Sequence, residues 1–184
     1  MKRNPSSQTL IAQCRCGDCE LVLTGPPIVT TECYCTSCQT AGRKFAALPG
    51  AEPTLQPNGG TAYVLHRKDK IFCRRGTEHL REFRLKPEAA TRRVVATCCN
   101  SPMFLEFSGG HWLSVFRDRI DASKRPTTEM RTMIKDRPAG VEFEDALPSY
   151  QKHSGRFMWR LLAAWAAMGF RAPKIDYVRG NLDG

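Results

Sequence analysis

Apolar and polar residues alternate in short runs through most of the chain, and the rhythm lengthens to helical spacing only near its end. Runs at 9–13, 20–24 and 28–32 carry Val, Ile, Leu and Thr at the two-residue period of a half-buried strand. Gly17 marks a turn between the first two, so they are predicted to form a hairpin with cysteines at its tip. Gly25-Pro26-Pro27 then breaks the pattern, and the third strand delivers the chain to Cys33. Thr36 is placed to cap a short helical turn through Gln39 and Ala41. Prolines and glycines over 48–60 read as a surface loop ending at Asn58-Gly59-Gly60. Six more strands are predicted at 61–66, 70–74, 80–85, 92–97, 103–107 and 112–116, and short strands at this spacing indicate a mainly β, antiparallel domain.

The region 124–145 turns polar, with Pro126 and Pro138 as breakers and one short helix predicted over 128–135. A final helix is predicted near 156–170, where Phe157, Met158, Trp159, Leu161, Leu162, Trp165 and Met168 leave almost no polar face. At roughly 20 Å it falls short of the ~30 Å hydrocarbon core of a bilayer. It is expected to pack on the β domain or to form a homo-oligomer contact; a membrane-surface helix using Arg156 and Arg160 is the alternative. The chain thus divides into a β domain over 1–120 and a helical C-terminal extension over 121–184.

Composition changes this picture in two respects. The 184 residues suffice for one domain with a real core, and 41% apolar and 25% charged content is ordinary, but a net charge of +10 predicts attraction to anions. The basic residues are scattered through the chain, which argues for a generally cationic surface and against a sequence-specific nucleic-acid site. Second, eight of nine cysteines are grouped, as Cys14, Cys16 and Cys19, then Cys33, Cys35 and Cys38, then Cys98 and Cys99, with Cys73 alone. Such tight grouping reads as metal ligation more than as a disulfide framework. The stretch Met1-Lys2-Arg3-Asn4-Pro5 offers no apolar run of a signal peptide, and no transmembrane segment is predicted, so a reducing cytoplasm is the expected location.

Thiols at Cys-x-Cys-x-x-Cys spacing can converge on one soft cation at about 2.3 Å each. Cys33, Cys35 and Cys38 are one short of a closed tetrahedron, which leaves a position for water or a substrate thiol. Cys98 and Cys99, if extended, point to opposite faces and would serve different sites. Cys19 is a spare ligand candidate or a bland thiol, and Cys73 reads as a core residue. Of the histidines, His79 and His111 are the candidates for a fourth ligand or proton shuttle.

The order Cys14-Arg15-Cys16-Gly17, Cys33-Tyr34-Cys35-Thr36-Ser37-Cys38, Cys99-Asn100-Ser101-Pro102-Met103 resembles the glutathione-dependent formaldehyde-activating enzyme family, which shares its fold with the centromere-protein-V domain. Cys98-Cys99-Asn100-Ser101-Pro102 is closest to a bacterial branch of it. The likeness spans 13–116. It implies an antiparallel zinc-binding β-tent with one or two Zn²⁺ ions: Cys14, Cys16 and Cys99 at a structural site, and Cys33, Cys35 and Cys38 at a catalytic one. Where the family has the first cysteine of a later Cys-x-x-Cys pair, this chain has Ala96, and Asn100 stands where glycine is usual. Cys98 can then complete the first site, close the triplet, or join a single shared zinc; closure of the triplet is the favoured expectation. The activity implied is that of a carbon-sulfur lyase acting on glutathione or another small thiol and an aldehyde. The alternative is a non-catalytic, zinc-stabilised binding module with a basic surface.

Overall fold

The computed structural model of the chain describes residues 9–182. Among them, ten strands form two sheets. β1 (Thr9–Gln13) and β2 (Glu20–Thr24) make the predicted hairpin, paired from Thr9 with Thr24 to Gln13 with Glu20, and β5 (Ile71–Arg75) extends it to three strands. The larger sheet contains β3 (Val29–Cys33), β4 (Thr61–Arg67), β6 (Leu80–Phe83), β7 (Thr91–Ala96), β8 (Ser101–Phe107), β9 (Trp112–Phe116) and β10 (Met130–Thr132). Its order is β10-β3-β4-β9-β8-β7-β6.

The two-residue period sorts side chains between two cores. Val64, Val94, Val115 and Phe104 face Leu10, Leu21, Leu23 and Ile71 of the small sheet. Their neighbours Tyr63, Leu65, Val95 and Phe116 face the opposite way, toward α1 (Thr36–Ala46) and α2 (Gly155–Ala166), which contribute Ala41, Phe45, Phe157 and Leu161. The seven-stranded sheet is therefore the middle layer of three. Arg93 shares the helix-side face of β7 with Val95 and is 1% exposed.

Four expectations change. The helix predicted over 128–135 is instead β10 followed by a single 3-10 turn, Ile134–Asp136, with Met133 in the left-handed region at φ 59°. The Met130/Ile134 spacing looks helical, but pairing with the outer edge of β3 satisfies the same backbone groups and buries all three strand residues. That pairing is parallel, so the large sheet is mixed and not purely antiparallel, and β10 joins it from beyond residue 120. Third, α1 runs to Ala46, and Cys35, not Thr36, caps it. β8 begins at Ser101, two residues before its predicted start, because a register shift between Val94 and Val95 accommodates Pro102, which has no N–H to give the ladder.

At its inner turn α2 packs Phe157 and Leu161, while Met158, Trp159, Leu162 and Trp165 stay exposed. No helix among the described residues is long and apolar enough to cross a membrane.

The hairpin tip is held against β5 by Gly76, whose φ is +81° and where a Cβ would lie 2.5 Å from the Asp18 carbonyl oxygen and 2.6 Å from Cys19 Cα. Left-handed strain and backbone overlap add here, so Gly76→Ala is expected to cost about 2–4 kcal/mol. A urea midpoint unchanged from that of the parent chain would contradict this close approach.

Candidate metal centre

Two thiol clusters have the geometry to hold a metal ion. The first joins the β1–β2 tip to the β7–β8 turn through Cys14, Cys16, Cys98 and Cys99. Cys14 Sγ lies 3.5 Å from Cys16 Sγ and 3.7 Å from Cys98 Sγ; Cys16 and Cys98 are 3.4 Å apart, Cys98 and Cys99 4.0 Å. A tetrahedron with bonds of about 2.3 Å has edges of about 3.8 Å, so the four sulfurs already stand where zinc would take them.

Local structure explains the convergence. Gly17, at φ +83°, lets the tip fold back so that its N–H donates to the Cys14 carbonyl. The Cys19 N–H donates to Cys14 Sγ at 3.2 Å, and the Ser101 hydroxyl lies 3.1 Å from Cys99 Sγ. Burial pushes the Cys99 thiol up, but the hydrogen bonds of Ser101 and Cys16 outweigh it and bring it to about 6. Buried Arg119 donates to the Ser101 hydroxyl at 3.2 Å and places a cation behind this cluster.

Cys98 therefore belongs to the first cluster, against the expectation that it closes the triplet. That expectation assumed an extended Cys98-Cys99. The two residues lie instead in a turn ending at Asn100 (φ 53°), and a turn does not send adjacent side chains to opposite faces. Cys19 is fully buried outside both clusters; its contact with Cys73, and then burial, push its thiol up. Cys73 lies on β5 and packs, half-buried, against the sheet-side core.

The second cluster is Cys33, Cys35 and Cys38, with all three sulfurs within 4.8 Å of one another. Cys33 ends β3, Cys35 is the N-cap of α1, and Cys38 sits in its first turn, where its N–H donates to Cys35 Sγ at 3.4 Å. A helix N-terminus favours negative charge, so a strand-to-helix corner suits thiolates. The corner is pinned by Tyr34, whose N–H donates to the Thr132 carbonyl of β10 at 3.0 Å. Gln39 clamps it further by donating from Nε2 to the carbonyls of Tyr34 at 2.6 Å and Asp136 at 2.7 Å.

Contacts with Cys33 and Cys35 hold Cys38 well below the usual thiol range against the opposing effect of burial, with Arg93 and the Tyr63 hydroxyl acting in the same direction. The same contacts push Cys33 up. Cys38 Sγ accepts from the Tyr63 hydroxyl at 3.6 Å.

Among the described residues no fourth Cys, His, Asp or Glu completes this set. The triplet instead lines a cavity of about 390 Å³ between the large sheet and α2, bounded also by Tyr63, Arg93, Leu105, Trp112, His153 and Phe157. Neither His79 nor His111 enters a thiol cluster; the His111 ring packs on Trp112 and stacks with Trp165. His153, which the sequence does not single out, is the histidine in the cavity wall, stacked on Phe157 at 4.8 Å. Arg93 follows Arg92 at the start of β7 in a generally basic stretch, and it is burial on the helix-side face that sets it apart from its neighbour.

No protein family matches the chain, and neither does any curated protein. Among solved structures it is similar to a Rhodobacter sphaeroides protein, with 13% identity, a TM-score of 0.41, and coverage of 76% of this chain and 98% of that one. A likeness this shallow carries no argument about the site.

Proposed function

We propose that this chain is a zinc protein with two unlike centres: a structural one at Cys14, Cys16, Cys98 and Cys99, and a catalytic one at Cys33, Cys35 and Cys38. The reaction is that of a carbon-sulfur lyase, which joins a small thiol to an aldehyde or separates them. The carrying observation is a three-thiol cluster, with no fourth protein ligand among the described residues, that lines a largely apolar cavity. The motif resemblance supplies the type of reaction.

Zinc bound by three thiolates supplies Lewis acidity that lowers the pKa of a thiol at its remaining position. The chain's own residues do the rest. Three thiolates and a divalent cation sum to −1, and Arg93, held by Ser37 through its carbonyl at 3.1 Å and its hydroxyl at 2.8 Å, offsets that charge. The Tyr63 hydroxyl, kept protonated by burial, donates to Cys38 and tempers its charge. Phe157 and Leu161 roof the cavity and limit water. On addition, sulfur bonds to the carbonyl carbon, the C=O π pair moves to oxygen, and the thiol proton ends there. His153, solvent-accessible and in the cavity wall, is the residue suited to relay that proton.

Nine free thiols fit a reducing cytoplasm. A binding-module reading draws on the exposed outer face of α2. The two readings part on metal content and exchange. The lyase reading expects two zinc ions per chain, one released or replaced within minutes when small thiols or cadmium are added, and thiol-aldehyde adduct formation that follows occupancy of that labile ion. Two zinc ions inert to thiols, with no adduct formed, would overturn it in favour of the module.

A further inference from the structure

The cavity beside the triplet is built for an uncharged molecule. Leu65, Leu105, Phe107, Trp112, Phe157 and Leu161 supply its apolar wall, and its permanently charged member is Arg93. Arg93 is 1% exposed, donates to Ser37 through one terminal nitrogen, and has no carboxylate partner among the described residues, its charge being set against the thiols of the triplet. His153 is stacked on Phe157. An apolar substrate body gains by burial against this wall, whereas a carboxylate set against Leu105, Trp112 and Phe157 would lose water without gaining a hydrogen bond from them. The net positive charge of the chain lies elsewhere: Arg92 is spent on Glu82 and Glu106, Arg131 on Glu32 and Asp145.

The space is also larger than a one-carbon aldehyde and a bare thiol require. At about 390 Å³ it exceeds twice the ~150 Å³ apolar cavity that suffices for benzene. The sulfurs of the triplet form part of its wall, so a thiol that reaches the metal's remaining position has its body in the apolar chamber.

Resting on the reading of the triplet as a thiol-binding metal centre, we propose that its substrate thiol carries an apolar aliphatic or aromatic body of roughly benzene size or larger, and is not an acidic peptide such as glutathione. Chain length is then recognised by burial, with each added methylene tightening binding about fourfold.

The test uses the full chain loaded with Co²⁺, whose absorption reports ligation directly, titrated with ethanethiol, butanethiol, hexanethiol, 2-phenylethanethiol and glutathione. The expected result is a shift of the thiolate-to-cobalt band by each apolar thiol, with hexanethiol binding on the order of a hundredfold tighter than ethanethiol and glutathione weaker than hexanethiol. Phe107→Ser and Met158→Ser alter exposed positions on the cavity wall, 45% and 53% exposed, where folding is not at stake. Each should weaken hexanethiol severalfold and leave ethanethiol unchanged. A flat series, glutathione binding tightest, or variants that bind hexanethiol like the parent would overturn the apolar substrate while leaving the thiol-binding centre standing. A band unmoved by every thiol would overturn both.

Discussion

Cys98→Ser should lose one zinc per chain and, with it, the native fold at ambient temperature. Serine keeps the size of the side chain but gives zinc a poor ligand, and Cys98 is only partly buried, so lost packing cannot account for a large effect. A structural zinc contributes about 10–16 kcal/mol of apparent binding free energy, against a domain stability of about 5–15 kcal/mol. The cluster ties the two sheets at the hairpin tip and the β7–β8 turn, so its loss opens the sheet-side core, where Cys14 and Cys99 pack beside Leu10, Leu21 and Met103. Cys19→Ser is the control: it puts a hydroxyl into a fully buried site, costs about 1–3 kcal/mol, and retains all metal. Metal analysis beside circular dichroism separates the two. A Cys98→Ser chain that melts like the parent with its full zinc content would remove Cys98 from the ligand set.

Cys38→Ala should produce the opposite pattern, a folded chain with one metal instead of two and no response to added thiols. Cys33 and Cys35 alone are a pair on a short corner, too few donors to retain zinc against solvent. The fold does not depend on them, because Gln39, Tyr34 and β10 pin the corner through protein hydrogen bonds. The stability lost is that of a trimmed buried side chain, on the order of 1 kcal/mol. Zinc per chain and a thermal melt read the outcome together. Loss of both metals would show that the two centres are not independent. If both metals stayed, Cys38 would not be a ligand.

The strands were legible because their alternation is local: a residue's neighbours two positions away already tell which face it takes, and β1, β2, β4 and β9 appear close to where the pattern puts them. β10 was not, because what makes Met130, Arg131 and Thr132 a strand is the free edge of β3, about a hundred residues earlier, together with the ion pairs of Arg131 to Glu32 and Asp145. The cysteine groups announced metal by spacing alone. Which thiols come together depends on the conformation of a four-residue turn that ends at Asn100, whose positive φ fits a position where the resembled family has glycine. Arg93, Tyr63 and His153 come to the triplet from β7, β4 and the approach to α2, so no spacing rule connects them to Cys33, Cys35 and Cys38.

The two clusters also differ in when they can exist. Cys33, Cys35 and Cys38 sit on one corner of chain and are all present once α1 has been made, whereas the four-thiol set waits for Cys99, 61 residues after Cys38. At synthesis rates of about 5–20 residues per second that interval lasts roughly 3–12 s. For that time Cys14 and Cys16 lack Cys98 and Cys99 as partners. The corner of β3 and α1 thus completes its thiol set first, and the β7–β8 turn completes the other.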